Sequence, residues 1–286
     1  MKQLSLQKMP HGLLKIGIAL RSAALIAAEP IDYLSRIING EHKLPPLLLR
    51  RYAGPLDSFR HSGAEFTGYL KLMCHLLPNE QILDIGCGPG LMALELIDYL
   101  DKDGKYVGVD IHRDSILWCQ KKISSNYQNF TFAHINVKNR AYNPNGKYAA
   151  EEFTFPFEKG AFDIILLKSV FTHMRPSEVD SYLKEIRRLL SNKGRCVATF
   201  FLLNQEQNKQ QSNGLNKIDF NFGDDIWRYQ YKTRPEVAVA YSEDYILRLL
   251  SQNGLRLVPG ESIKYGTWSG RRDGLSYQDI LLIGKS

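Results

Sequence analysis

The sequence predicts an α/β fold: a mostly parallel sheet with helices on both faces. Three observations predict it. Five short apolar runs, QILDIG, YVGVD, FTFAHI, FDIILLK and RCVATFF, recur between residues 81 and 201. The segments between them carry helical periodicity, and a cluster of glycines marks the first strand-to-helix turn. At 286 residues and 32.7 kDa the chain suits one large domain plus an arm. With 44% apolar and 23% charged residues it reads as a folded globular protein.

Residues 1–60 read as a helical arm and linker. In GLLKIGIALRSAALIAAEP, Lys15 and Arg21 interrupt the apolar stretch, which argues against a secretory signal and a membrane span. Leu13, Gly17, Leu20, Ala24, Ala28, Ile31 and Leu34 follow three- and four-residue steps, while Lys15, Ser22, Glu29 and Arg36 fall on the opposite side. Pro30 is expected to start a second helix and Gly40 to end it. The expectation is that this amphipathic pair packs on the main domain; a peripheral membrane contact, a homodimer contact or a substrate lid are the alternatives. KLPPLLLRRYAGP then reads as a linker.

Residues 61–286 read as the main domain. Ser62 and Glu65 match a capping box for a helix reaching Leu77, stopped by Pro78. Helices are expected over 91–100, 113–126 and 177–190, alternating with the five strands. Residues 202–241 loosen into a polar, aromatic-rich insertion. A helix over 242–252 and two last strands, LRLVPGESIKY and SYQDILLIGK, complete the pattern.

The net charge of +7 is scattered, which allows an anionic partner without requiring nucleic acid. Cys74, Cys87, Cys119 and Cys196 lie far apart with no CxxC pair, so neither a zinc site nor a disulfide framework is expected, and a reducing cytoplasm fits best. Gly86, Gly88 and Gly90, after the strand ending in Asp84 and Ile85, let the backbone approach a ligand closely. Asp110 ends the next strand, where a carboxylate can accept hydrogen bonds from ribose hydroxyls. A dinucleotide fingerprint counted from Gly86 needs glycine at 91, where this chain has Leu91.

LDIGCGPG resembles the first motif of the class I S-adenosylmethionine-dependent methyltransferases of small-molecule type. YVGVDIH, FTFAHINV, FPFEKGAFDIILLKSVFTHM and EIRRLLSNKGRCVATFF are similar to the segments that follow it in that family. The resemblance implies a Rossmann-like three-layer sandwich with a seven-stranded sheet in the order 3-2-1-4-5-7-6. It implies S-adenosylmethionine as cofactor, with S-adenosylhomocysteine as product. It also implies a cofactor site of Asp84, Gly86, Cys87, Gly88, Gly90, Asp110, Ile111, Asn136, Val137 and Lys168. Within it, Asp84 and Gly86 hold the methionine amino group, Asp110 the ribose, and Asn136 with Val137 the adenine. The family often has Asp where Asn136 stands. Cys87 reads as a small filler, because methyl transfer from a sulfonium needs no thiol.

Methyl transfer needs an acceptor atom held about 3 to 3.5 Å from the methyl and in line with the breaking bond. A base is needed only if the acceptor must lose a proton; His173 and then His61 are the candidates, with packing or capping as the other role for His173. Trp227, Tyr229, Tyr265, Trp268 and Arg271 lie in segments expected beyond the carboxyl ends of the strands, and such aromatics with an arginine suit a flat ring or sugar bearing an anionic group. They are equally consistent with covering the sheet edge. A small-molecule acceptor with a hydroxyl or amine is therefore expected, as a monomer or homodimer and without nucleic acid. No NPPY-type motif or Pro-Cys dipeptide supports a nucleic-acid acceptor. RNA methylation or a non-catalytic cofactor-binding role are the alternatives.

Overall fold

The computed structural model describes residues 11–56 and 59–286. Its main element is a seven-stranded sheet formed by β1 (Gln81–Ile85), β2 (Lys105–Asp110), β3 (Phe130–His134), β4 (Phe162–Leu167), β5 (Leu190–Phe200), β10 (Leu255–Leu257) and β11 (Asp279–Lys285). The order is β3-β2-β1-β4-β5-β11-β10, the expected 3-2-1-4-5-7-6. β1 to β5 pair in parallel, while β11 runs antiparallel to both β5 and β10.

Strands buried on both faces must be apolar along their whole length, which is why these runs stand out in the sequence. In β1, Leu83 and Ile85 point into one core and Ile82 into the other. α6 (Pro176–Leu189) and α8 (Glu243–Gln252) cover the first face. α3 (Phe59–Met73), α4 (Leu91–Leu96) and α5 (Arg113–Cys119) cover the second, and α5 runs on into a wider turn over Gln120–Ser124.

Two expected boundaries shift. α3 already begins at Phe59, so Ser62 lies inside it and caps nothing; it ends at Met73, where His75 takes φ +49° and Leu76 N–H returns to Leu70 O. Pro30 does not divide the arm: α1 runs unbroken from His11 to Ile38. Proline costs the helix one hydrogen bond. Around it, Arg36 binds Glu29, Asp32 (2.6 Å) and Leu44 O (2.7 Å), Arg50 binds Asp32, and Leu47 N–H binds Glu29 (2.7 Å). These bonds fasten α1 to α2 (Leu47–Arg50) and hold the helix through the proline.

This fastening also overturns the expected orientation of the arm. The polar side of α1 faces the protein, with Arg36 only 5% exposed, whereas Leu20, Ile31 and Leu34 are 60 to 74% exposed. Buried, hydrogen-bonded ion pairs have taken the inward side. Among the described residues no helix is long and apolar enough to cross a membrane.

The 202–241 segment builds a second sheet, β6-β9-β8-β7, from β6 (Leu202–Leu203), β7 (Phe222–Gly223), β8 (Trp227–Tyr229) and β9 (Val239–Ser242), with α7 (Gln205–Ser212) after β6. Its strands of two to four residues are too short to show periodicity, so the sequence showed only a loosened stretch.

Candidate functional site

The site lies where β1, β2 and β4 end. Gly86, Gly88 and Gly90 take φ of +79°, +53° and +81°, which side chains other than glycine rarely adopt. Gly86 and Cys87 both donate to Val109 O, at 2.8 and 3.2 Å, pinning the loop to β2. The loop is closely packed below: a Cβ on Gly86 would sit 2.5 Å from Val170 Cγ2, and one on Gly90 would sit 2.8 Å from Ile123 Cδ1. Above Gly88 the space is open, with no atom within 4 Å of where a Cβ would stand. Packed from beneath and clear at its crest, the loop fits a ligand that lies along its backbone.

Asp110 closes the arrangement. One of its oxygens accepts from Gly88 N–H at 2.7 Å and the other from His112 N–H at 2.7 Å. Each carboxylate oxygen has a further lone pair, so ribose hydroxyls can still be accepted. Burial pushes the Asp110 carboxyl above its ordinary range, and the two N–H donors pull it back.

Asp84 is 2% exposed, and one of its oxygens accepts from Tyr106 O–H. Burial raises its pKa to about 7 despite that hydrogen bond, and Asp110 nearby adds to the rise. Lys168 lies beside it at the end of β4, with its ammonium 5.2 Å from the centre of the Phe66 ring. Burial holds Lys168 below the usual lysine range, while Glu65 and Asp84 oppose that shift. Lys168 is thus part of the site's charge balance. Cys87 and Cys119 both direct their thiols to Gly88 O, at 3.6 and 3.7 Å, and burial pushes both thiols up, so they fill space.

Asn136 is exposed at the turn after β3, where its side-chain oxygen lies 3.3 Å from Lys147 N and its carbonyl accepts from Lys147 and Tyr148. Val137 is buried beside it and bridges to Tyr148. Ile111 is half-buried against the core that contains Leu83 and Ile85.

His173 ends a single helical turn, Phe171–His173, ahead of α6. Its Nδ1 lies 3.0 Å from Glu236 O. A carbonyl only accepts, so Nδ1 carries the proton and Nε2 keeps its lone pair. Burial lowers the pKa of His173, which favours this neutral form. Tyr142 meets the imidazole edge-on, with ring centres 5.1 Å apart. The 202–241 segment holds this turn in place: Arg175 binds Glu236 at 2.7 Å, and Tyr241 O–H donates to Met174 O. His61 is exposed on the first turn of α3, apart from this group.

The acceptor-side candidates fall into separate groups. Trp227 and Tyr229 lie on β8 with ring centres 5.0 Å apart, packed against the core. Tyr265 bonds Glu243 at 2.9 Å and lies under Arg271, whose guanidinium is 4.9 Å from its ring centre. Both line a cavity of about 490 Å³ together with Asn204 and Glu206. Trp268 is fully buried in a small core with Phe201 and Phe220, and its Nε1–H donates to Asp279 at 2.8 Å.

Two groups were missed in the sequence. Tyr52, in the linker after α2, lays its ring on His112 with ring centres 3.9 Å apart, reaching the residue whose N–H binds Asp110. Ser169, beside Lys168, takes φ +58°. Its hydroxyl and that of Thr199 both reach Gln278 Oε1, at 3.0 and 2.6 Å, which ties the ends of β4, β5 and β11 together. No local signal marks either contact, since both join residues distant in the chain.

With this geometry in place, the comparisons decide the family. The family model for a methyltransferase domain matches residues 76–253, more than half of the chain. The chain belongs to the methyltransferase domain family. Its sheet order makes it a class I, Rossmann-like methyltransferase. Among solved structures of the same fold is magnesium protoporphyrin IX methyltransferase from Synechocystis PCC 6803 with bound S-adenosylhomocysteine: 18% identity, 83% of this chain, 92% of that one, TM-score 0.52. Another is an S-adenosylmethionine-dependent methyltransferase from Clostridium acetobutylicum ATCC 824: 15% identity, 79% of this chain, 92% of that one, TM-score 0.52.

Proposed function

We propose that this methyltransferase acts on a hydroxyl or amine of a small molecule, a specialised metabolite or a sugar-like acceptor. S-adenosylmethionine supplies a methyl group on sulfonium sulfur. The Gly86 to Gly90 backbone gives it close passage, Asp110 accepts from the ribose, and Asp84 with Gly86 receives the methionine amino group. Lys168 attracts the methionine carboxylate, and Ile111, Asn136 and Val137 border the adenine. The protein's task is then to orient the acceptor and, for a hydroxyl, to take its proton.

The observation that carries this reading is the state of His173. It is half-buried, its pKa is held below the ordinary histidine value, and Nδ1–H on Glu236 O makes Nε2 the nitrogen that carries the lone pair. That is the form a general base needs. The magnesium protoporphyrin relative, which acts on a small molecule, supports the acceptor class. Tyr265 and Arg271 from their loop, with Trp227 and Tyr229 from β8, select the acceptor, and Trp268 supports the loop from the core. The domain division at residue 60 belongs to the same proposal, as does a cytoplasmic setting.

The test is transfer of labelled methyl from S-adenosylmethionine to libraries of hydroxyl and amine acceptors and to RNA. Label in a small hydroxyl or amine acceptor supports the reading. Label only in RNA replaces it with the macromolecular alternative. Tight cofactor binding with no transfer leaves a non-catalytic module.

A further inference from the structure

α1 shows its apolar side to solvent along its described length. Seven large apolar side chains between Leu20 and Ile38 are 48 to 82% exposed. At roughly 60–120 Å² of apolar surface for a fully exposed side chain of this size, they offer about 270–530 Å² per copy, of which Leu20, Ile31, Leu34 and Ile38 supply about 170–340 Å² on one stripe, with Ile26, Tyr33 and Ile37 flanking it. That is the size of the largest apolar patch on a typical monomer, which is often functional, and two such patches suit a small, weak interface.

The spacing of the patch identifies its occupant. Leu20, Ala24, Ala27, Ile31, Leu34 and Ile38 repeat at 4, 3, 4, 3 and 4 residues, the seam of a two-helix coil. We infer that α1 pairs antiparallel with α1 of a second copy of this chain. Laid antiparallel with Glu29 at the centre, every layer but the outermost sets a small residue against a large one: Ala24 meets Leu34, Ala27 meets Ile31, and Leu20 closes each end against Ile38. The same patch serves both copies, as a two-fold interface requires.

The back of the helix fits this occupant better than a lipid surface. A membrane-lying helix needs a row of free lysines or arginines on its polar face. Here that face carries Glu29 and Asp32, and Arg36 is buried in an ion pair with both. The same bonds fix α1 to α2 with its apolar seam outward, so the surface is presented without a folding cost on pairing.

The test uses the full chain. Sedimentation at micromolar concentration should give about 65 kDa, twice the 32.7 kDa monomer. Ile31→Glu, at the seam, should give the monomer mass with unchanged S-adenosylmethionine affinity and an unchanged helical spectrum. For the register, Ala24→Cys and Leu34→Cys chains should form a disulfide-linked dimer only when mixed and allowed to exchange. A monomer at 100 µM, a dimer that Ile31→Glu leaves intact, or Ala24→Cys chains cross-linking alone would overturn the inference. So would a solution monomer whose sedimentation with phosphatidylglycerol vesicles is lost in Ile31→Glu, since lipid would then be the occupant.

Discussion

The ring of Tyr52 lies on the imidazole of His112 with ring centres 3.9 Å apart. His112 N–H in turn binds Asp110, whose other oxygen holds Gly88. The linker therefore reaches the glycine loop through one tilted ring pair and two hydrogen bonds. Aromatic pairs of this kind are worth about 0.5–1.5 kcal/mol. Tyr52→Ala should weaken S-adenosylmethionine binding about two- to tenfold by isothermal titration, and Tyr52→Phe should leave it near the parent value. Equal affinity in the alanine variant would show that the ring only packs.

Asp84 should make binding of the proposed methyl donor depend on pH. Its pKa of about 7 in the free protein means that burial favours the protonated form. Its contribution to stability is therefore full below about 3.8, the ordinary value, and is lost as pH rises through about 7. A cationic methyl donor reverses the preference, because the ionised carboxylate attracts it. Affinity should rise between pH 6 and 7.5 while the free protein's melting temperature falls over the same window. Asp84→Asn should flatten both trends; an unchanged affinity slope in that variant would assign the dependence to another group.

His173 gives the clearest kinetic prediction. With Nδ1–H on a carbonyl and its pKa below 6.5, it stays neutral and base-competent at pH 7. On a hydroxyl acceptor, His173→Ala should lower kcat about 10²- to 10⁴-fold with cofactor affinity intact. Turnover equal to the parent would leave His173 with packing alone.

Asp279 is the anchor of the loop that carries Tyr265 and Arg271. It accepts from Gly266 N–H at 2.6 Å, Leu202 N–H at 2.7 Å and Trp268 Nε1–H at 2.8 Å. Asparagine has one acceptor oxygen and would turn an N–H group toward a donor. Asp279→Asn should cost about 2–4 kcal/mol, a drop of roughly 4–8 °C in Tm for a chain this size. Cofactor affinity should hold, and a Tm within about 1 °C of the parent would contradict the role.

The sheet and the glycine loop were legible because their causes are local. Strands buried on both faces read as apolar runs, and positive φ at Gly86, Gly88 and Gly90 needs glycine. α1 was legible as an amphipathic helix but not in its orientation: periodicity shows two faces, whereas the bonds of Glu29 and Asp32 to Arg36 and α2 decide which one turns inward. Trp268 was chosen from its residue type, and only the tertiary contact with Asp279 reveals it as core. Tyr52 and Gln278 act across gaps of 60 and 109 residues, to His112 and Ser169, which no local pattern records.

If the Asp110 carboxylate and the glycine loop it holds together seat the methyl donor, Asp110→Ala should stay folded by thermal melting and lose at least a hundredfold in S-adenosylmethionine affinity by isothermal titration. A folded Asp110→Ala protein that binds as tightly as the parent would remove the seat from Asp110.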